Sequence, residues 1–210
     1  MTVSQPKKQC RTLVICSPKG GCSKTTLALN LGVAFASSHH VLLIDADPNQ
    51  SAMKWYGKNG QLPAGIDMMG TADEIITVST IVRILHKYQY YYDLIIVDSP
   101  PSQLASTVTR SALITADLAL IPVTPSPLDM WEVTEMNHIV DEVNELRQSM
   151  DVAPVQSKIV LTRARKNTRM TNLVFETFAR SKFSICNSII HEREIYKFAA
   201  FNACSIYDLT

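Results

Sequence analysis

The chain has 210 residues, a formal net charge of +1 and 46% hydrophobic residues, enough to bury a sizeable core. This balance excludes a low-complexity chain and a disordered charged tail. No apolar run approaches the roughly 18–20 residues that span a bilayer, so no membrane association is expected. Five cysteines (Cys10, Cys16, Cys22, Cys186, Cys204) form no CxxC pair. Their odd number opposes a fully paired disulfide framework, and a reducing cytoplasm is the expected compartment. Residues 1–10 are polar, carry no signal-peptide core and read as a flexible extension. No Ser/Gly-rich linker or internal repeat divides the chain, so residues 1–210 are expected to form one domain.

In chain order, short apolar runs alternate with longer amphipathic stretches. Thr12–Cys16 reads as a strand, followed by a helix over Thr25–Ser37. Val41–Ile44 is a second strand. A helix from about Asp73 to Tyr88 leads to a third strand, Leu94–Val97. Leu118–Val123 is a fourth, followed by the clearest helix, Leu128–Met150. Its expected apolar stripe is Trp131, Met136, Ile139, Val140, Val143, Leu146 and Met150. Lys158–Leu161 is a fifth strand, and helices over Thr168–Arg180 and Glu194–Phe201 complete the series. Each strand is almost continuously apolar, which marks burial on both faces and hence a parallel sheet covered by helices. The expected fold is α/β, doubly wound, with a mostly parallel sheet and helices on both faces. Such sheets place ligands at the carboxyl ends of their strands. Asp45, Asp47, Asp98 and a run of prolines collect at those ends.

Glycine is scarce, with seven residues, and two of them are adjacent at Gly20 and Gly21. They lie in Ser17-Pro18-Lys19-Gly20-Gly21-Cys22-Ser23-Lys24-Thr25-Thr26, between the first strand and the first helix. A tight turn there aims backbone N–H groups at one point, and the helix N-terminus favours an anion. Lys24 would reach the β- and γ-phosphates of a nucleotide, and the Thr25 hydroxyl would ligate Mg²⁺. Pro18 and Ser23 replace both glycines of the ordinary GxxxxGK[ST] pattern. A side chain at Ser23 is expected to strain a loop built for glycine.

The form KGGxxKTT, with its early Lys19, resembles the deviant Walker A loop of the ParA/MinD family of ATPases. That resemblance implies that Lys19 reaches the nucleotide of a partner subunit across an ATP-bound homodimer. Cys22 stands where the family has small residues and its side chain reads as filler, within the expected nucleotide-binding loop from Lys19 to Thr26. Val41-Leu42-Leu43-Ile44-Asp45-Ala46-Asp47-Pro48 is similar to the family's DxDP motif. There the second acid, Asp47, orients or activates water, and the first, Asp45, sits near the magnesium shell. Asp98, ending Leu94-Ile95-Ile96-Val97-Asp98, resembles a Walker B acid that holds Mg²⁺. Lys19, Lys24 and Asp47 are therefore the expected catalytic residues. Leu120-Ile121-Pro122-Val123-Thr124-Pro125-Ser126-Pro127-Leu128-Asp129 resembles the proline-rich box of small ParF-type plasmid-partition ATPases. By that likeness Pro122 to Asp129 would line the nucleotide site. Arg163, at the end of the fifth strand, is a further candidate beside the adenine.

The charge is uneven. Residues 151–210 carry nine Lys/Arg against five Asp/Glu, and residues 1–150 carry 11 against 14. A basic cluster can bind phosphate backbone without reading bases. Arg165, Lys166, Arg169, Lys182 and Lys197 are the DNA-binding candidates, in line with the non-specific DNA binding of the family; a solvated face is the alternative. The five histidines have no metal-ligand spacing, and Tyr88–Tyr92 reads as packing ahead of a strand. The resemblance implies a cytoplasmic, nucleoid-associated Mg-ATP switch that partitions plasmid or chromosomal DNA with a centromere-binding partner. Two alternatives stay open: the same switch positioning a protein cargo through an adaptor, and a weakly hydrolysing nucleotide-binding scaffold.

Overall fold

The structure is a computed structural model and describes residues 9–57, 62–70, 77–101, 106–166, 168–179 and 182–209. Among the described residues, seven strands form one sheet in the order β3-β2-β4-β1-β5-β6-β7, and every pairing is parallel. They are β1 Arg11–Ile15, β2 Val41–Asp45, β3 Ile66–Gly70, β4 Leu94–Asp98, β5 Leu118–Val123, β6 Gln156–Leu161 and β7 Ser184–Ile185. The helices are α1 Lys24–Ala36, α2 Ser51–Gly57, α3 Val78–Tyr88, α4 Ser106–Thr115, α5 Pro127–Ser149, α6 Arg169–Ala179 and α7 Ile195–Phe201; a 3₁₀ turn follows at Ile206–Leu209.

The two faces of the sheet carry separate cores, because successive strand residues point to opposite sides. Val14, Leu42, Ile44, Ile95 and Val97 pack under α3 to α6. Leu13, Ile15, Val41, Leu43 and Ile96 pack under α1 and α2. Doubly wound burial is thus the direct consequence of strands without polar alternation. From β1 the chain moves out to β2 and β3, returns through β4, and crosses β1 to β5. The carboxyl end of β1 therefore lies where the winding reverses, the usual ligand crevice of such sheets.

Four elements differ from the sequence expectation. The edge strand β3 is only partly buried and its run, Ile-Asp-Met-Met-Gly, has no continuous apolar stretch. The strand β7 has two residues. The helix α2 has seven. The helix α4 is rich in Ser and Thr, yet its Ala112 and Leu113 are fully buried, so packing overrides propensity. The helix expected from Asp73 begins at Val78, behind a Thr77 capping box; residues 73–76 lie outside the described residues, as does Arg180.

The α5 stripe needs correction. Val133, Met136, Ile139, Val140 and Val143 are buried, but Trp131, Leu146 and Met150 are 72%, 49% and 59% exposed. The buried face runs the length of this 23-residue helix through Asp129, Val133, Met136, Val140, Val143 and Arg147, and Trp131 and Leu146 lie outside it. Near its end Arg147 is buried instead, donating to the carbonyls of Leu113, Ile114, Ala116 and Ala153 at 2.6–3.0 Å. Among the described residues, no helix is long and apolar enough to cross a membrane.

Candidate nucleotide site

The phosphate loop runs from the end of β1 into α1. Gly21 sits at φ +85°, and a Cβ on Gly20 or Gly21 would meet no atom within 4 Å. The loop backbone therefore faces open space, at the mouth of a cleft of about 660 Å³. Ser23 also adopts the left-handed conformation, at φ 77° and ψ 24°, as the N-cap of α1 without a side-chain capping bond. The left-handed region costs an L-residue about 1–2 kcal/mol, so the strain expected at this serine is present.

Lys24 is buried. Its Nζ donates to the Lys19 carbonyl at 2.6 Å and the Ser17 carbonyl at 3.3 Å. The loop is also gripped from β6: Thr162 donates its hydroxyl to the Cys22 carbonyl at 3.0 Å, and Arg163 donates Nη1 to the Gly21 carbonyl at 3.2 Å. Cys22 is buried, with its thiol directed at the Lys19 carbonyl. Lys19 turns toward α5, where its Nζ lies 2.5 Å from Asp129 Oδ1 and 3.9 Å from Glu132. Thr124 donates both its hydroxyl and its amide to Asp129 Oδ2. Burial pushes the Asp129 carboxyl up, but Lys19 and Thr124 outweigh it and hold it below the ordinary range.

The strand ends bring the acids together. Asp45 and Asp98 are register partners on β2 and β4. Asp98 is 1% exposed, and among the described residues neither of its carboxylate oxygens has a hydrogen-bond partner. Burial first, then Asp45 and Asp47, push its pKa to about 7 against the opposing pull of the Thr25 hydroxyl and Lys24. Asp45 is fully buried and differently engaged. Its Oδ2 accepts the amides of Ala52 and Met53 at 2.9 and 3.0 Å, and its Oδ1 accepts that of Asp47 at 3.2 Å. Asp47 lines the cleft and accepts the Asn49 amide at 2.8 Å.

This donor set fits Mg²⁺. The ion prefers oxygen ligands, keeps several waters and takes one or two carboxylates plus substrate phosphates. Asp98 offers two open oxygens beside Thr25. Among the described residues, no cluster of three His, Cys, Asp or Glu competes for a metal.

Three expected nucleotide contacts lie behind the loop. Pro122 is buried within β5, and it, Cys22 and Asp129 line a small crevice there rather than the main cleft. Leu120 accepts from Cys16 toward β1 and Val123 accepts from Thr162 toward β6. Pro122 thus faces the side where β1 has already ended, and its missing N–H leaves no bond unmade. Gly20, Gly21, Ser23, Lys24, Thr25, Thr26 and Arg163 do line the cleft. Residues not singled out from sequence join them, including Thr162, Asn30, Trp55 and His191. Asn30 accepts the Ile206 amide at 3.0 Å, which brings the C-terminal turn to the cleft. No local pattern marks these positions.

The five basic candidates do not form one patch. Arg165, Lys166, Arg169 and Lys197 are exposed beyond the carboxyl end of β6. Arg165 pairs with Glu192 at 2.9 Å and Lys197 with Glu194 at 3.0 Å. Lys182 precedes β7 and so lies toward the amino ends of the strands, away from the carboxyl-end cluster, and pairs with Asp141 of α5.

With this geometry in place, comparison with known proteins is decisive. The family described as "CobQ/CobB/MinD/ParA nucleotide binding domain" matches residues 13–203. The chain belongs to this family. It is 29% identical over 202 residues, 94% of this chain and 87% of the other, to "Maintenance of carboxysome distribution protein A" of Halothiobacillus neapolitanus. Among solved structures, the ATP complex of a Cyanothece McdA variant has a TM-score of 0.77 at 19% identity, covering 96% of this chain and 91% of that one. A putative plasmid partition protein of Borrelia burgdorferi bound to AMPPNP has a TM-score of 0.75 at 22% identity, covering 93% and 91%. These two likenesses show the fold, a P-loop NTPase sheet of the ParA/MinD type.

Proposed function

We propose that the protein is a Mg-ATP-dependent, dimerising ATPase that positions a cargo inside the cell. The observation that carries this reading is the buried, unpartnered carboxylate of Asp98 beside Thr25, directly behind a loop of open amides. When bound, Mg²⁺ would offset phosphate charge between Thr25 and Asp98. Lys24 would move from its loop carbonyls onto the β- and γ-phosphates. Asp47, at the cleft wall, would orient the attacking water. Lys19 would exchange Asp129 for the nucleotide of a second copy. The exposed Lys166 and Arg169 support non-specific binding of the dimer to DNA, and an adaptor on the cargo would stimulate hydrolysis. Residues 1–210 act as one ATPase unit in this reading, in the cytoplasm and on the nucleoid.

Plasmid or chromosomal DNA is one cargo. A protein assembly is a second reading, favoured by the extended similarity to a carboxysome distribution protein. The test is size-exclusion chromatography and a duplex-DNA shift with ATP and with ADP. ATP alone is expected to give a dimer that retards plain DNA. A monomer that ignores DNA in both nucleotides overturns the switch. Loss of plasmid inheritance or loss of cargo spacing in a deletion strain then decides between the cargoes.

A further inference from the structure

We propose that Asp45 is a positioning residue: its buried carboxylate ties the Asp47 loop to the first turn of α2 and so sets Asp47 at the cleft wall. The inference rests on the reading of Asp47 as the residue that orients water.

Three N–H groups converge on this one side chain. Two are the Ala52 and Met53 amides, first-turn donors of α2 that have no intrahelical acceptor. The third is the amide of Asp47. Between them the chain makes a tight turn, with the Gln50 amide on the Asp47 carbonyl at 2.8 Å and Gln50 left-handed at φ 51°. Asp45 therefore closes a ring around residues 46–53, anchored on the fully buried strand β2. A carboxylate is the side chain that suits this place. It accepts several bonds and donates none, whereas an amide would turn its NH₂ toward at least one donor.

The contrast with Asp98 supports the division of labour. The two acids are neighbours in register, yet Asp45 spends its oxygens on backbone donors while those of Asp98 remain open. The same clamp reaches further through α2, because Trp55 donates Nε1 to the Cys204 carbonyl at 2.9 Å. Trp55 is thus a built-in reporter of where α2 sits.

The experiment compares the parent chain with Asp45→Asn and Asp45→Ala, both in a Trp131→Phe background that leaves Trp55 as the single tryptophan. Asp45→Ala is expected to lower kcat about 10–100-fold with KM for ATP within about twofold, and Asp45→Asn to recover part of the loss. The Mg²⁺ concentration for half-maximal turnover should not move. Without nucleotide, amides 47, 52 and 53 should lose exchange protection, and Trp55 emission should shift. A raised Mg²⁺ requirement in step with the lost turnover would make Asp45 a metal ligand and overturn the inference. So would unchanged kcat in an active protein, or unchanged protection at these amides. A parent that binds no ATP overturns the reading of Asp47 instead, and the exchange and emission measurements still decide whether the clamp exists.

Discussion

Lys19 Nζ and Asp129 Oδ1 stand 2.5 Å apart, joining the phosphate loop to the first turn of α5 within one chain. The lysine proposed to reach across a dimer is thereby paired with an acid of its own subunit. Lys19→Ala is expected to abolish ATP-dependent dimerisation while the monomer still binds ATP, measured by chromatography and nucleotide titration. The same variant should raise the pKa of Asp129. In the parent that pKa is held below its ordinary value. The stability from the contact is therefore complete above the ordinary carboxyl range and is lost as pH falls through the lowered folded value. An NMR titration of the Asp129 carboxyl checks both statements.

Asp98 works in the opposite direction. Its folded pKa of about 7 lies above the ordinary value of 3.8. Its contribution to stability is therefore full below that ordinary value and declines as pH rises to about 7. In EDTA, Asp98→Asn should remove this slope. The variant should be more stable than the parent at pH 8, by up to a few kcal/mol, and lose the stabilisation that Mg-ATP gives the parent. Thermal melts at two pH values, with and without Mg-ATP, measure this.

Ser23→Gly tests the left-handed loop position. Relief of the Cβ clash exceeds the added freedom of glycine in the unfolded chain, for a net gain of about 0.5–1 kcal/mol. Denaturant unfolding should show the gain, with ATP affinity retained.

Arg147→Ala should cost roughly 2–4 kcal/mol, because it strips a charged donor from buried carbonyls at the end of α4 and beyond. Nucleotide affinity of the folded fraction should stay the same, since none of those carbonyls lines the cleft.

The basic residues separate by position. A Lys166→Glu, Arg169→Glu double variant should weaken duplex binding and flatten its salt dependence by about two phosphate contacts. Lys182→Glu, at the amino ends of the strands, should leave DNA affinity unchanged. Titrations at several salt concentrations distinguish them.

The apolar runs at β1, β2, β4, β5 and β6 determined the parallel sheet, because strands buried on both faces have no polar alternation to hide. The adjacent glycines and the lysines around them marked the phosphate loop, since local chain geometry alone makes a nest of amides. Tertiary structure decided the rest. The strands β3 and β7 take their conformation from neighbours rather than from their own few residues. Asp45 and Asp98 look alike in sequence, each an acid at the end of an apolar strand. Only the return of α2 onto β2 gives one of them two amide donors beyond that of Asp47, while the other's oxygens stay open. Likewise Lys182 belongs by composition to the basic tail, but the parallel register of β7 puts it at the amino ends of the strands. Side-chain roles that depend on which elements meet are written in long-range packing, and no local pattern encodes them.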